Sequence, residues 1–92
     1  MSSATDTARI FKVLSVETRV KILELLKANS LCVNAISELL GITPAAVSQH
    51  LRILRDTDIV ISEKKGYYVH YHVNTRTLKR WRELAVRLLD SE

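Results

Sequence analysis

The feature that most constrains the fold is the stretch of residues 33–56, which reads as two short amphipathic helices joined by a four-residue turn. In the second helix Val47, Leu51 and Leu54 fall on one stripe at about 100° per residue, and that stripe must face a core. Gly41 follows the first helix, at a position where glycine commonly takes a left-handed conformation. Two helices linked by a short turn that carries glycine predict a helix-turn-helix.

The start and outer face of the second helix suit an approach to DNA. Thr43 is a good N-cap and Pro44 fits the first helical turn, so this end presents N–H groups and a positive dipole end to a phosphate. On the side opposite the core stripe, a glutamine can pair with an adenine edge and an arginine with guanine or phosphate. His50 flanks the core stripe, and an ordinary solvated face is the alternative. The outward residues are Ala45, Ser48, Gln49, Arg52 and Asp56.

A β-hairpin is predicted directly after these helices. The apolar run at residues 59–61 suits a strand, and residues 63–66 (Glu-Lys-Lys-Gly) read as a tight connection. The next stretch has period two, which predicts a half-buried strand. In it, Tyr67, Val69, Tyr71 and Val73 alternate with Tyr68, His70 and His72. Lys64 and Lys65 suit contact with phosphate or the minor groove, although edge hairpins also carry lysines for solubility.

The remaining segments are predicted to be helices at residues 5–14, 16–28 and 75–89. Ser15 is expected to cap the second of these, and Asn74 with Thr75 the third. The core-like residues of the second helix are Val20, Ile22, Leu23 and Leu26. The apolar stripe of the third comprises Leu78, Trp81, Ala85 and Leu88, widened by Leu84 and Leu89. The sequence therefore predicts a mainly α chain with a β-hairpin, in the order α-α-α-α-β-β-α, forming one winged helix-turn-helix domain over residues 1–92.

The first and last helices carry more apolar surface than a small winged helix needs. A chain of 92 residues buries only about two thirds of its unfolded surface. Residues 5–14 and 75–89 are therefore predicted to form a dimer interface, the alternative being that both helices pack on their own core. Two-fold symmetry would set two recognition helices about 34 Å apart, or one turn of DNA, and would predict a palindromic operator. A net charge of +4 agrees with nucleic acid as partner without deciding it.

Several classes of protein do not fit this sequence. No apolar stretch is long enough to span a membrane, residues 1–7 are small and polar rather than a signal peptide, and one cysteine excludes an internal disulfide. A cytoplasmic protein is therefore expected. The sequence has no Ser/His/Asp order, metal-ligand cluster or phosphate-cradling glycine loop. We expect neither an enzyme nor a cofactor.

Four runs of sequence point to one known family. They are residues 17–23 (Glu-Thr-Arg-Val-Lys-Ile-Leu), 31–33 (Leu-Cys-Val), 43–51 (Thr-Pro-Ala-Ala-Val-Ser-Gln-His-Leu) and 66–71 (Gly-Tyr-Tyr-Val-His-Tyr). On these runs nearly the whole chain resembles the ArsR/SmtB family of transcriptional repressors. The resemblance implies a homodimer that binds operator DNA and releases it when an inducer binds. It also implies that Ser48, Gln49 and His50 lie in or beside the groove, with the hairpin as the wing.

The predicted DNA-binding set follows from the helix, the hairpin and the resemblance together. It comprises Thr43, Ala45, Ser48, Gln49, His50, Arg52, Lys64, Lys65 and Tyr68. The favoured function is a dimeric, sequence-specific transcriptional repressor that reads a palindromic operator. One alternative is a winged-helix module for protein–protein contacts, whose outer face would be apolar. Another is a DNA-binding repressor that has no effector at all.

The inducer site is where this chain departs from the family. Many members sense metals through Cys-Val-Cys on the third helix, where this chain has Cys32, Val33 and Asn34, and a soft-metal or arsenite site needs two or three thiolates. Others bind zinc through histidines and carboxylates of the last helix, which here has no histidine and ends with Asp90 and Glu92. No metal site is predicted. His70 and His72 read as wing surface residues.

Cys32 is the remaining candidate for an effector or redox site. A reactive thiol needs a lowered pKa and access to solvent. The alternative for a free cysteine is a small buried hydrophobic residue. The sequence names no effector.

Overall fold

The computed structural model describes residues 3–91, without the side chain of Ser3. Met1, Ser2 and Glu92, which complete the predicted domain, lie outside the described residues. The elements in chain order are α1 (Ser3–Leu14), α2 (Glu17–Ala28), β1 (Leu31–Cys32), α3 (Val33–Leu40), α4 (Pro44–Asp56), β2 (Val60–Lys65), β3 (Tyr68–Val73) and α5 (Thr75–Leu89). This order confirms the predicted winged helix-turn-helix, with one strand more than predicted.

The core stripe of α4 lies where the sequence predicts it. Val47, Leu51 and Leu54 are at most 1% exposed. Burying each such side chain stabilises the fold by roughly 1.5–3 kcal/mol, so this stripe holds α4 firmly against the body. The rest of the core consists of Ile10, Val13, Ile22, Leu23, Leu26, Ile36, Ile59, Val60, Val73 and Trp81. The prediction for Val20 is wrong: it is 36% exposed, because it lies off the face of α2 that carries the buried residues.

The turn between α3 and α4 has the predicted geometry. Gly41 has φ of 67°, and its N–H donates to the Ser37 carbonyl at 2.9 Å. The Ser37 hydroxyl also donates to the Ile42 carbonyl at 2.5 Å, which closes the turn. Thr43 caps α4, since its hydroxyl oxygen accepts from the Ala46 N–H at 3.1 Å. These bonds fix where α4 begins relative to α3.

The two other predicted caps have different outcomes. Ser15 does not cap α2, whose N-cap is Val16 without a side-chain hydrogen bond. Because α2 begins one residue later than predicted, the Ser15 hydroxyl instead donates to the Lys12 carbonyl at 2.7 Å and closes the end of α1. Asn74 does cap α5: its side-chain oxygen accepts from the N–H groups of residues 76 and 77.

The three strands form one antiparallel sheet in the order β1-β3-β2. The unpredicted strand β1 pairs Leu31 with Tyr71. In the hairpin, Lys65 pairs with Tyr68, so the connection is a two-residue turn at Gly66 and the residue after it. Gly66 has φ of 64°, which fits the first central position of a type II′ turn. The strand therefore runs to Lys65, and the predicted turn at residues 63–66 begins too early.

Helix α1 packs against α5 and α2, while β3 packs against α2 and β2 packs against α4. Within residues 3–91, no helix has both the length and the apolar character needed to cross a membrane.

Candidate nucleic-acid interface

The outer face of α4 is exposed and polar. Ala45, Ser48, Gln49 and Arg52 are all exposed, on the side of the helix away from its buried stripe. Thr43 is exposed at the start of the same helix. The structure therefore brings five of the nine predicted DNA-binding residues together on one open surface. Side chains of this kind can present amide, hydroxyl and guanidinium groups to base edges.

The first turn of α4 offers less to an anion than the sequence indicates. The Thr43 hydroxyl engages the Ala46 N–H, and Pro44 has no N–H to give. At this end, the cap leaves the N–H of Ala45 unengaged. A backbone phosphate can approach it because the side chain of Ala45 is small and exposed.

A groove of about 380 Å³ runs between α4 and the hairpin. Arg52 and Arg55 line it together with Ser48, Asp56 and Tyr71. Two arginines outweigh one carboxylate there, so the groove favours an anion such as a phosphate. Arg55 is missing from the predicted set, although its spacing of three residues from Arg52 was a signal that the two share one flank of the helix.

The outer half of the hairpin, residues 63–69, is exposed throughout. We call it the wing tip. Lys64, Lys65 and Tyr68 of the predicted set lie here, and Tyr68 is 61% exposed opposite Lys65. Tyr67 is 100% exposed at the turn, and sequence reasoning did not place it in the set. The wing tip therefore presents two lysines and two tyrosines to a binding partner.

The prediction of a half-buried strand holds only for the base of the hairpin. Val73 is buried and residues 70–72 are half-buried, whereas Val69 is 43% exposed although it shares the inward side of the pattern. The alternation of side chains continues, but the wing tip extends beyond the core that would cover them. Its apolar atoms are therefore free for a contact outside the domain.

His50 differs from the rest of the predicted set. It is half-buried, and its Nδ1 accepts a hydrogen bond of 3.4 Å from Nε of Arg19 on α2. Burial, and then the positive charge of Arg19, lower the pKa of His50 from its ordinary value of 6.5. The side chain therefore faces α2 and not the open surface of α4.

Cys32 occupies the junction between β1 and α3. It is half-buried and makes no side-chain hydrogen bond as the residue that precedes α3. In the sheet it lies opposite His70, which in turn lies opposite Glu63 on the other side. Among residues 3–91, however, no three His, Cys, Asp or Glu side chains are grouped so that they could hold a metal ion.

Comparison with known proteins points to one family. The pattern described as "Bacterial regulatory protein, arsR family" matches residues 17–62. Transcriptional repressor SdpR of Bacillus subtilis (strain 168) is 36% identical over 70 residues, covering 76% of this chain and 78% of the relative. The cadmium resistance transcriptional regulatory protein CadC homolog of Staphylococcus aureus is 36% identical over 81 residues, covering 87% and 67% respectively. Among solved structures, an ArsR-like transcriptional regulator from Rhodococcus sp. RHA1 has a TM-score of 0.83 at 27% identity, covering 96% of this chain and 83% of that one.

Proposed function

This chain belongs to the ArsR family of bacterial regulatory proteins, and from that membership we propose that it is a dimeric transcriptional repressor that reads a palindromic operator. The observation that carries the proposal is the open, polar outer face of α4 beside a basic groove. A repressor of this kind acts on DNA in the cytoplasm and needs no cofactor.

In the proposed complex, α4 enters the major groove. Gln49 lies at the centre of the exposed face and can pair bidentately with adenine, while Arg52 can pair with guanine or a phosphate. Ser48 is flexible in its choice of partner because a hydroxyl both donates and accepts. Ala45 and Thr43 allow the start of the helix to lie close to the DNA backbone.

The phosphate contacts are proposed to come from both sides of α4. Arg55 supplies charge in the groove between α4 and the hairpin, and Lys64 and Lys65 supply it at the wing tip. Such contacts set affinity and register but read no sequence. Tyr67 and Tyr68 add flat, exposed side chains that can pack against the sugars of the adjoining groove.

The dimer is proposed to form through α1 and α5. An apolar groove of about 430 Å³ lies between these helices, lined mainly by Ala8, Phe11, Leu84 and Leu88. Phe11 is 39% exposed and Leu88 60% exposed. Contiguous apolar surface of this kind on a small domain marks an interaction site, and a second copy of the chain would cover both helices at once.

We also propose that the metal site of many family members is degenerate here. Cys32 is the single cysteine of the chain, and Asn34 stands where those members have a second thiolate. One thiolate is a weak donor set for a soft metal. The effector would then be a redox signal at Cys32 or a small molecule, or the repressor would have no effector.

The test is selection of bound duplexes from a random DNA pool, at two salt concentrations, followed by sequencing. The expected result is an enriched two-fold symmetric sequence with half-sites about one helical turn apart. Retention without enrichment would contradict sequence-specific reading and leave only a basic surface. No retention at low salt would contradict DNA binding and favour a protein-interaction module.

A further inference from the structure

A single side chain, that of Arg19, joins three helices. Arg19 belongs to α2 and is half-buried. Its Nε donates to Nδ1 of His50 on α4 at 3.4 Å, and its Nη1 donates to the carbonyl of Val13 in the last turn of α1 at 3.3 Å. The planar guanidinium can serve two acceptors at once in a fixed geometry, which a lysine ammonium cannot.

The bond to His50 needs one protonation state. Nδ1 can accept only while it carries no proton, which places the proton of the neutral ring on Nε2. Burial and the charge of Arg19 both lower the pKa of His50, so the neutral ring is the dominant form at pH 7 and the acceptor is kept.

The elements that pack against α4 carry several charged and titratable groups. They are Glu38 on α3, Glu63, Lys64 and Lys65 on β2, and Glu17, Arg19, Lys21, Glu24 and Lys27 on α2. Of these, Arg19 is the group whose charge lowers the pKa of His50.

Because of where His50 lies on α4, its hydrogen bond with Arg19 can control the rotation of the helix about its own axis. The buried stripe holds one side of α4, and the bond to His50 adds a directional contact to it. His50 lies at the edge of that stripe, next to Gln49 in sequence. Side-chain atoms stand about 5–6 Å from a helix axis, so a rotation of about 10° moves the Gln49 amide by about 1 Å. A bidentate pair with a base does not survive such a shift.

We infer that Arg19 is a positioning residue for DNA reading: it fixes the rotation of α4 against the end of α1, and so ties the base-reading face to the dimer helix. This inference rests on the proposed function. Arg19 touches no DNA in this arrangement, and its effect passes through His50. The orientation of α4 therefore depends on α1, the helix that a second copy of the chain would contact.

The experiment compares five variants with the wild type on the selected operator and on a random duplex. The fifth variant combines Arg19→Lys with His50→Leu. Arg19→Lys keeps the charge but loses the two-acceptor geometry. His50→Leu removes the acceptor, whereas His50→Asn retains an oxygen acceptor near the position of Nδ1. Arg82→Lys, at an exposed position of α5, is the matched control. Thermal unfolding and sedimentation are measured for each, so that loss of folding or of the dimer is separated from loss of reading.

For Arg19→Lys and His50→Leu, the ratio of operator affinity to random-duplex affinity is expected to fall roughly tenfold. For Arg19→Lys, binding to the random duplex is expected to stay unchanged. His50→Asn should restore most of the ratio, and Arg82→Lys should not alter it. The double variant should lose no more than the larger single loss, because the two side chains act as one unit. An unaltered ratio in both single variants would overturn the inference while leaving the proposed function standing. A wild type that selects no operator would instead contradict the proposed function itself.

Nitrogen NMR of the wild type tests the geometry without any substitution. The expected spectrum at pH 7 has an unprotonated Nδ1 and a protonated Nε2 for His50. A protonated Nδ1 would overturn the inference, because that nitrogen could then accept nothing from Arg19.

Discussion

Arg80 of α5 donates a hydrogen bond of 3.5 Å to the carboxylate of Asp6 on α1, which joins two residues 74 positions apart. The Asp6 side chain is 21% exposed and the Arg80 side chain 67% exposed. The pair lies on the polar side of the α1–α5 contact, next to Arg9 and Asp58, while the apolar groove with Phe11 lies on the other. The two end helices are therefore already attached within one protomer, and their apolar side remains available to a second.

Leu88→Asp should weaken the proposed dimer. A charge at this position would have to be buried against the second copy without a partner, which is costly. We expect the variant to sediment as a monomer at concentrations where the wild type is a dimer, and to bind the operator far less tightly. Leu39→Asp is the matched control, because Leu39 on α3 is 61% exposed and Leu88 is 60% exposed. Equal effects of the two substitutions on the oligomeric state would argue against the α1–α5 interface.

Gln49→Ala should reduce discrimination between the operator and random DNA by about 1–3 kcal/mol, the value of one bidentate base contact. Competition binding with both duplexes measures this difference. Asn34→Ala, which removes an exposed amide from α3, should leave the discrimination as it is. A loss that is equal on both duplexes would assign Gln49 to backbone contact instead of base reading.

Replacing Lys64 and Lys65 together by alanine should weaken binding to all duplexes similarly. Each lost phosphate contact lowers the salt dependence, so the slope of log affinity against log salt should fall by about 0.9 for each lysine that contacts a phosphate. The comparison is the double alanine variant of Lys21 and Lys27, which removes the same charge from α2. If both double variants lower the slope alike, the effect belongs to overall charge and not to the wing.

The stability of the protein should depend on pH through His50. Its pKa in the folded protein is below 6.5, with burial as the larger cause and Arg19 as the smaller. The unfolded chain therefore binds more protons at intermediate pH, so this group's contribution to stability is complete above its unfolded pKa and falls as pH drops towards the folded pKa. His50→Asn lacks this titration. Denaturant unfolding between about pH 7 and about pH 5 should show a smaller loss of stability for the variant than for the wild type; parallel curves would contradict the lowered pKa.

Thr43→Ala should destabilise the domain by about 1 kcal/mol, because the Ala46 N–H loses its capping partner. Thermal or urea unfolding measures the change. Thr75→Ala replaces an exposed threonine in the first turn of α5, where Asn74 supplies the cap, and should change stability little. A Thr43 variant as stable as the wild type would show that solvent replaces the cap without cost.

The sequence predicts most of what depends on neighbours along the chain. Three features depend only on residues close together in the sequence, and the structure confirms all of them: the apolar stripe of α4, the glycine turn before it and the Thr43 cap. Strand β1 was missed because two residues carry no period from which a strand could be recognised. The extent of the wing was missed for a different reason. Alternation tells which side a residue faces, but it does not tell where the core beneath it ends.

Contacts between distant segments were beyond the reach of sequence patterns. Arg19 and His50 are 31 positions apart, and their hydrogen bond depends on how α2 and α4 cross. From the helix pattern alone, His50 could be placed only at the edge of the core stripe. The DNA-binding role that the sequence indicates for His50 stays a prediction, as do those of the other eight residues in the set.

In α4, the residues that pack on the core are different from those that face outward. Val47, Leu51 and Leu54 hold the helix in place, and the outward residues are Ala45, Ser48, Gln49 and Arg52. Surface substitutions of this kind usually change stability by less than about 0.5 kcal/mol. New target preferences could therefore arise, in evolution or by design, through exchange of the outward side chains while the framework that carries them stays intact.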